Sequence, residues 1–224
     1  MKQMARRICV AVLLVCMIAG MLMMSGTVQA ATTSTASVRR YNIMLVIDGS
    51  GSLISESTTD PEGMRYELID DLLGVLEDDG HYVGAVVFSG NRGSDASEAA
   101  MESCIRCNTG MISLDPTVIT PNGSLPKDYI VQQLRDAYVD QNKDGRTDVG
   151  TALLVAEREL RKAQAQNGME SLIFLFTDGV TDVIHPEVKA KSEENLATAT
   201  REIRENGIRL FGAFLNKGGK LPLF

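Results

Sequence analysis

Apolar and polar positions fall in blocks along this chain. Ile43-Met44-Leu45-Val46-Ile47 is a continuous apolar run that stops abruptly at Asp48. A strand buried on both faces of a parallel sheet reads this way. Tyr82 to Phe88 and Leu172 to Phe176 repeat the pattern, and Ile208 to Leu215 ends the series. Between these runs the spacing becomes helical. Asp60-Pro61 supplies an N-cap and a first-turn proline, and Leu68, Leu72 and Leu76 follow at four-residue intervals. A helix to about Asp79 is predicted. Ile130, Leu134 and Ala137 mark another over Pro126 to Val139. Leu153, Ala156, Leu160 and Ala163 mark a third over Ala152 to Gln166, stopped by Asn167-Gly168. Glu187 to Asn206 is a charged helix with Leu196 and Ile203 facing inward. Gly90 to Gly110 is small, polar and Gly/Ser-rich and reads as an irregular insertion. Met111 to Leu114 reads as a short edge strand. Strands alternating with helices predict an α/β domain: a doubly wound, mainly parallel sheet with helices on both faces.

The first thirty residues differ from the rest. Lys2, Arg6 and Arg7 precede an apolar run from Ile8 to Met24, and Val28-Gln29-Ala30 offers small residues for a cut. This is the pattern of a secretory signal peptide over residues 1–30. The alternative is an uncleaved membrane anchor, since the run approaches spanning length. Residues 31–40 are Thr/Ser-rich and read as a flexible leader. The domain then covers 41–216, with a short tail at 217–224. The expected location is secreted or otherwise extracytoplasmic.

The composition is that of a globular domain, with 44% apolar and 23% charged residues. The formal charge of -7 becomes -10 once the three cations of the first segment leave with it. Nucleic acid is therefore not an expected partner, and neither is anionic lipid. Membrane contact is expected only through an uncleaved first segment. Two cysteines remain in the exported part, Cys104 and Cys107. In an oxidising compartment the simplest reading is a local disulfide. A redox motif would need to open a helix after a strand, and zinc would need two further ligands beyond the scattered His81 and His185. Free thiols are the remaining reading.

The chemistry concentrates where strands end. Ile47 runs into Asp48-Gly49-Ser50-Gly51-Ser52, and Phe176-Thr177 runs into Asp178. Thr147-Asp148-Val149-Gly150 stands before a helix. In open parallel sheets, ligands bind beyond the carboxyl ends of the strands. The donors offered are carboxylates and hydroxyls, which suit a hard cation such as Mg²⁺, Mn²⁺ or Ca²⁺ rather than zinc.

Asp48-Gly49-Ser50-Gly51-Ser52 resembles the Asp-x-Ser-x-Ser signature of von Willebrand factor A domains. Thr147 to Leu153 resembles their threonine loop, and Phe176 to Gly179 their second aspartate turn. The resemblance runs from about Tyr41 to Leu215. It implies a Rossmann-like fold carrying a metal-ion-dependent adhesion site. Asp48, Ser50, Ser52, Thr147 and Asp178 would then hold one Mg²⁺, or Mn²⁺ or Ca²⁺. It also implies a protein partner whose Glu or Asp carboxylate completes the coordination, and a binding module rather than an enzyme. The family usually closes with a helix after its last strand. Asn216 to Phe224 is too short and too rich in Gly and Pro to supply one, so that helix is expected to be missing and apolar surface to be left uncovered near the C-terminus.

Other readings stand beside this one. Asp140-Gln141-Asn142-Lys143-Asp144-Gly145 opens like a calcium loop, with Asp140, Asn142, Asp144 and Asp148 as candidate ligands. Its closing glutamate is absent, Thr151 standing at the twelfth position, so a solvated turn is the alternative. A serine hydrolase would use Ser50 or Ser52, Asp178 and His185, but no Gly-x-Ser-x-Gly elbow is present. A third reading is a domain whose metal is structural and meets no partner.

Overall fold

The computed structural model describes residues 39–53, 64–91, 93–140, 146–179 and 181–214. All of these except Arg39 belong to one compact unit, Arg40–Phe224. The proposed signal segment and leader up to residue 38, the helix start at Asp60-Pro61, the loop ligands Asn142 and Asp144, and the C-terminal tail lie outside the described residues.

The chain runs β1 (Tyr41–Asp48), a 3₁₀ turn (Gly51–Leu53), α1 (Met64–Leu76), a second 3₁₀ turn (Glu77–Asp79) and β2 (Tyr82–Phe88). There follow α2 (Glu98–Glu102), β3 (Ile105–Asn108), β4 (Ile112–Ser113) and α3 (Pro126–Asp140). Then come α4 (Val149–Asn167), β5 (Glu170–Thr177), α5 (Pro186–Glu205) and β6 (Arg209–Phe214). The sheet order is β3-β2-β1-β5-β6, with β4 also on β2. β1 is parallel to both β2 and β5, and β5 is parallel to β6. β3 and β4 run antiparallel to β2. The chain leaves β1 for β2 on one side and β5 for β6 on the other. Right-handed crossovers in opposite directions place their helices on opposite faces. α4 and α5 pack together on one face, α1 and α3 on the other.

Every residue of β1 is buried, as the unbroken apolar run requires. Met44, Val46, Ile173 and Leu175 meet Ala156 and Leu160 of α4 in the core beneath that helix. Each such apolar side chain contributes about 1.5–3 kcal/mol when fully buried. Asn42 is the polar exception in β1. It exchanges hydrogen bonds with the Asn167 side chain at 3.1 and 2.8 Å, so its burial leaves no amide group unpaired there. β6 is the last strand in the sheet order, and its Leu210 is 42% exposed.

At the amino end of the sheet, buried His81 accepts the Tyr41 backbone N–H at Nδ1, 3.1 Å away. Only a neutral ring can do so. Burial lowers the His81 pKa from its ordinary 6.5, partly opposed by Asp79. A His depressed in the folded state binds fewer protons than in the unfolded chain. Its contribution to stability is full above the ordinary value of 6.5, declines as pH falls below it, and levels off past the lowered folded value. The melting temperature of wild type is expected to drop by a few degrees more than that of His81→Gln between neutral pH and mildly acidic pH. Parallel melting curves across that window would show the ring to be unimportant.

Two expectations are corrected. Gly90 to Gly110 is not irregular throughout, for it holds α2 and β3. Ser97 caps α2, its hydroxyl accepting from Ala100 N, and Met101 packs with Val183 and Val188 in a separate small core. The expected disulfide is also absent: Cys104 and Cys107 are free thiols. Cys107 lies within β3 opposite Val87, and Cys104 immediately precedes that strand. Extended backbone carries the two residues apart where a bridge needs a turn to bring them together. Burial pushes the Cys107 thiol up to about 11 and Cys104 well above the ordinary range. Neither is poised as a nucleophile.

Candidate metal centre

The point where the sheet order reverses lies between β1 and β5, which is where doubly wound sheets bind ligands. Asp48 ends β1 and Thr177 ends β5. The two are joined directly: the Thr177 hydroxyl donates to Asp48 Oδ2 at 2.6 Å. Asp48 Oδ1 accepts the Ser50 backbone N–H at 2.8 Å. The turn is pinned from the other side by Gly49 N, which donates to the Phe88 carbonyl at 2.7 Å. Both Asp48 and Ser50 are wholly buried. The backbone of Ser52 lies in the 3₁₀ turn, and its side chain is outside the described residues.

The Thr147 segment is brought in by the backbone. Thr147 and Asp182 form an antiparallel bridge, with N···O distances of 3.1 and 2.8 Å. The Arg146 guanidinium strengthens the same contact by donating to Asp182 Oδ2 at 2.9 Å. From beneath, Asp148 N donates to the Ser89 carbonyl at 3.2 Å. Gly90 lies so close that a Cβ there would fall 2.7 Å from Thr147 N. The segment before α4 therefore packs on those after β2 and β5, at the edge of the sheet where Thr177 is joined to Asp48. Asp178 follows β5 directly and is half-buried.

The electrostatics fit a cation. Burial pushes the Asp48 carboxyl above the usual range; hydrogen bonds from Thr177 and Ser50 pull it down, and the nearby Asp178 charge pushes it up. A hard cation beside these oxygens would favour the ionised form of both carboxylates. The donors are carboxylate and hydroxyl oxygens, as Mg²⁺, Mn²⁺ and Ca²⁺ require. Among the described residues no group of three or more His, Cys, Asp or Glu side chains gathers in a way that could hold a metal ion, here or elsewhere, so the hydroxyls of Ser50 and Thr147 would have to share the coordination.

Two other candidates are rearranged. The carboxylate of Asp148, a candidate calcium ligand, is engaged by α4 and α5. It is wholly buried and caps α4, accepting from Thr151 N at 3.0 Å and from the Thr151 hydroxyl at 2.7 Å. The helix consequently starts at Val149, three residues before the expected Ala152. Asp140 ends α3, and its side chain is outside the described residues. His185 precedes α5, and among the described residues its ring makes no hydrogen bond to Ser50 or Asp178, as a hydrolase triad would require. Thr177 was not among the expected site residues. Its place between a buried strand and Asp178 is the signal that could have marked it.

The profile of the von Willebrand factor type A domain matches residues 42–217. The chain belongs to that family. Its described sheet and helices are those of a von Willebrand factor A domain. Solved structures similar to this A domain include manganese-loaded Plasmodium vivax TRAP protein, 15% identical over 80% of this chain, with a TM-score of 0.48. PilB minor pilin from Streptococcus sanguinis is 15% identical over 86%, at 0.48. Proximal thread matrix protein 1 from the mussel byssus is 17% identical over 78%, at 0.44. The A domain spans 59%, 52% and 37% of those chains respectively. No curated protein matches the sequence. Among the described residues no helix is long and apolar enough to cross a membrane.

Proposed function

We propose that this A domain is an exported, non-enzymatic binding module that uses one divalent ion to capture an acidic residue of a protein partner. Asp48, Ser50, Ser52, Thr147 and Asp178 are assigned to the ion, which is Mg²⁺ or, in its place, Mn²⁺ or Ca²⁺. The observation that carries this reading is the buried Asp48 carboxylate, tied to Ser50 and Thr177 at the switch point of the sheet. A buried carboxylate is costly without a compensating charge. The ion would supply positive charge and an exchangeable position for an incoming carboxylate.

Each residue has a distinct task. Asp48 and Asp178 carry the negative charge that retains the ion. Ser50, Ser52 and Thr147 offer neutral hydroxyls, which leave part of the ion's charge for the partner. Thr177 holds Asp48 in place and is not assigned as a ligand. The Arg146–Asp182 pair stands on the rim, 31% and 60% exposed, where a partner would first meet the domain.

The reading is tested with an immobilised library of short peptides bearing Asp or Glu, screened against the purified protein in Mg²⁺, in Mn²⁺ and in EDTA. Capture of acidic peptides that is lost in EDTA, and lost when Glu is changed to Gln, supports it. Metal binding with no dependence on a peptide carboxylate would reduce the ion to a structural role.

A further inference from the structure

Beneath the candidate metal centre lies a second polar cluster, which the proposed ligands do not use. Asp148, Thr151 and Ser192 are each no more than 1% exposed, and Asn195 is 7% exposed. They sit between α4 and α5, where an apolar seam would be the ordinary solution. Asp148 Oδ1 accepts from Thr151 N and, at 2.5 Å, from the Ser192 hydroxyl on α5. Asp148 Oδ2 accepts from the Thr151 hydroxyl, which in turn accepts from Asn195 Nδ2 at 3.0 Å. The helices are in close backbone contact here. A Cβ on Gly150 would fall 2.2 Å from the Ser192 carbonyl oxygen.

This cluster is adjacent in sequence to Thr147. The two residues share a peptide unit whose N–H, on Asp148, is bonded to the Ser89 carbonyl. With its carboxylate locked by α4 and α5 and its N–H locked by the end of β2, Asp148 cannot turn without turning Thr147. A buried network with every member paired holds one arrangement, and loss of one partner leaves a costly orphan. We infer that Asp148 is the positioning residue of the metal centre and that, through Ser192, it couples the centre to α5. The inference rests on the metal-centre reading above. Affinity for the ion depends on where α5 sits, and by linkage the ion restrains α5.

The test uses the full chain with Mn²⁺ alone, with no peptide present. Ser192→Ala removes the hydroxyl from α5 and leaves every proposed ligand in place. It is expected to weaken Mn²⁺ binding about tenfold, at the lower end of the effect of supporting residues on metal affinity. Thr200→Ala, which alters α5 away from the network, is expected to bind as wild type. The second readout is hydrogen exchange. Mn²⁺ is expected to slow the amides at the start of α5 in wild type and not in Ser192→Ala. Wild-type α5 exchange that ignores Mn²⁺ would falsify the coupling, and needs no variant to fold. Ser192→Ala binding within twofold of wild type overturns it equally. If wild type binds no Mn²⁺, the metal centre itself is wrong and this inference falls with it. Failure of peptide capture in the separate peptide screen, with Mn²⁺ binding retained, would count against the adhesion reading alone.

Discussion

Asp48→Asn is expected to lose Mg²⁺ or Mn²⁺ affinity by more than about a hundredfold while the domain stays folded. Losing a mere supporting partner costs about 10–100-fold in metal affinity, and Asp48 is assigned a direct share of the charge. The asparagine keeps an oxygen for the Ser50 N–H, and the Thr177 hydroxyl can turn to accept from the new amide. It also removes a carboxylate that burial and Asp178 both push toward the neutral form. The metal-free variant should therefore melt at or above wild type, whereas wild type alone should gain stability from added metal. Asp48→Ala is the harsher change, because it leaves the Thr177 hydroxyl and Ser50 N–H without their acceptor at about 1–3 kcal/mol each if no water replaces it. Calorimetric titration with Mn²⁺ and paired melts with and without EDTA decide the matter. Equal affinity in wild type and Asp48→Asn would remove Asp48 from the site.

The second large effect comes from a residue with no donor to offer. Gly90→Ala places a Cβ 2.2 Å from Arg146 Cβ and 2.7 Å from Thr147 N. Gly90 is not among the glycines with positive φ, so alanine meets no backbone conflict of its own. The whole effect is steric. Two of the atoms in the way are backbone, so the Arg146–Thr147 segment must move bodily. Overpacking of this kind costs about 1–3 kcal/mol. Because the displaced segment carries Thr147 and is bridged to Asp182, metal affinity should fall about tenfold at the same time. Gly179→Ala is the control: a Cβ there meets nothing within 4 Å, and stability should be unchanged. Denaturant melts and Mn²⁺ titration of both variants test the pair. A Gly90→Ala protein that melts and binds as wild type would mean the two loops do not touch.

Both arguments depend on contacts between segments far apart in sequence, and this marks the limit of what could be read from residues alone. The buried runs of β1, β2 and β5 were legible because a strand covered on both faces needs apolar residues at every position. The helices with regular apolar stripes were legible for the same reason. β3 was not: in four residues, half-buried Ile105 and Cys107 alternate with exposed Arg106 and Asn108, too short a pattern to stand out. α2 was missed because it has five residues, and its burial rests on Met101 meeting Val183 and Val188. The cysteine pair misled because spacing says nothing about whether the backbone between two thiols turns or extends.

The site divides in the same way. Asp48, Ser50 and Asp178 stand out as candidates in the sequence, because they lie at or just beyond the ends of strands that declare themselves, and strands of a parallel sheet end on one edge. Thr147 could be named only with the family pattern. The role of its neighbour could not be named at all. In sequence Asp148 is one acid in an acidic loop, equally suited to calcium. In the folded chain it is wholly buried, capping α4 and bonded to Ser192. What an isolated carboxylate does is set by which donors surround it, and one of these comes from a helix 44 residues away. The sequence alone determined the α/β architecture and the family, since periodicity and short motifs are local. Only the tertiary structure decided which partners each buried carboxylate meets, Thr177 and Ser50 for Asp48 and Thr151 and Ser192 for Asp148, since burial and partnership are not local properties.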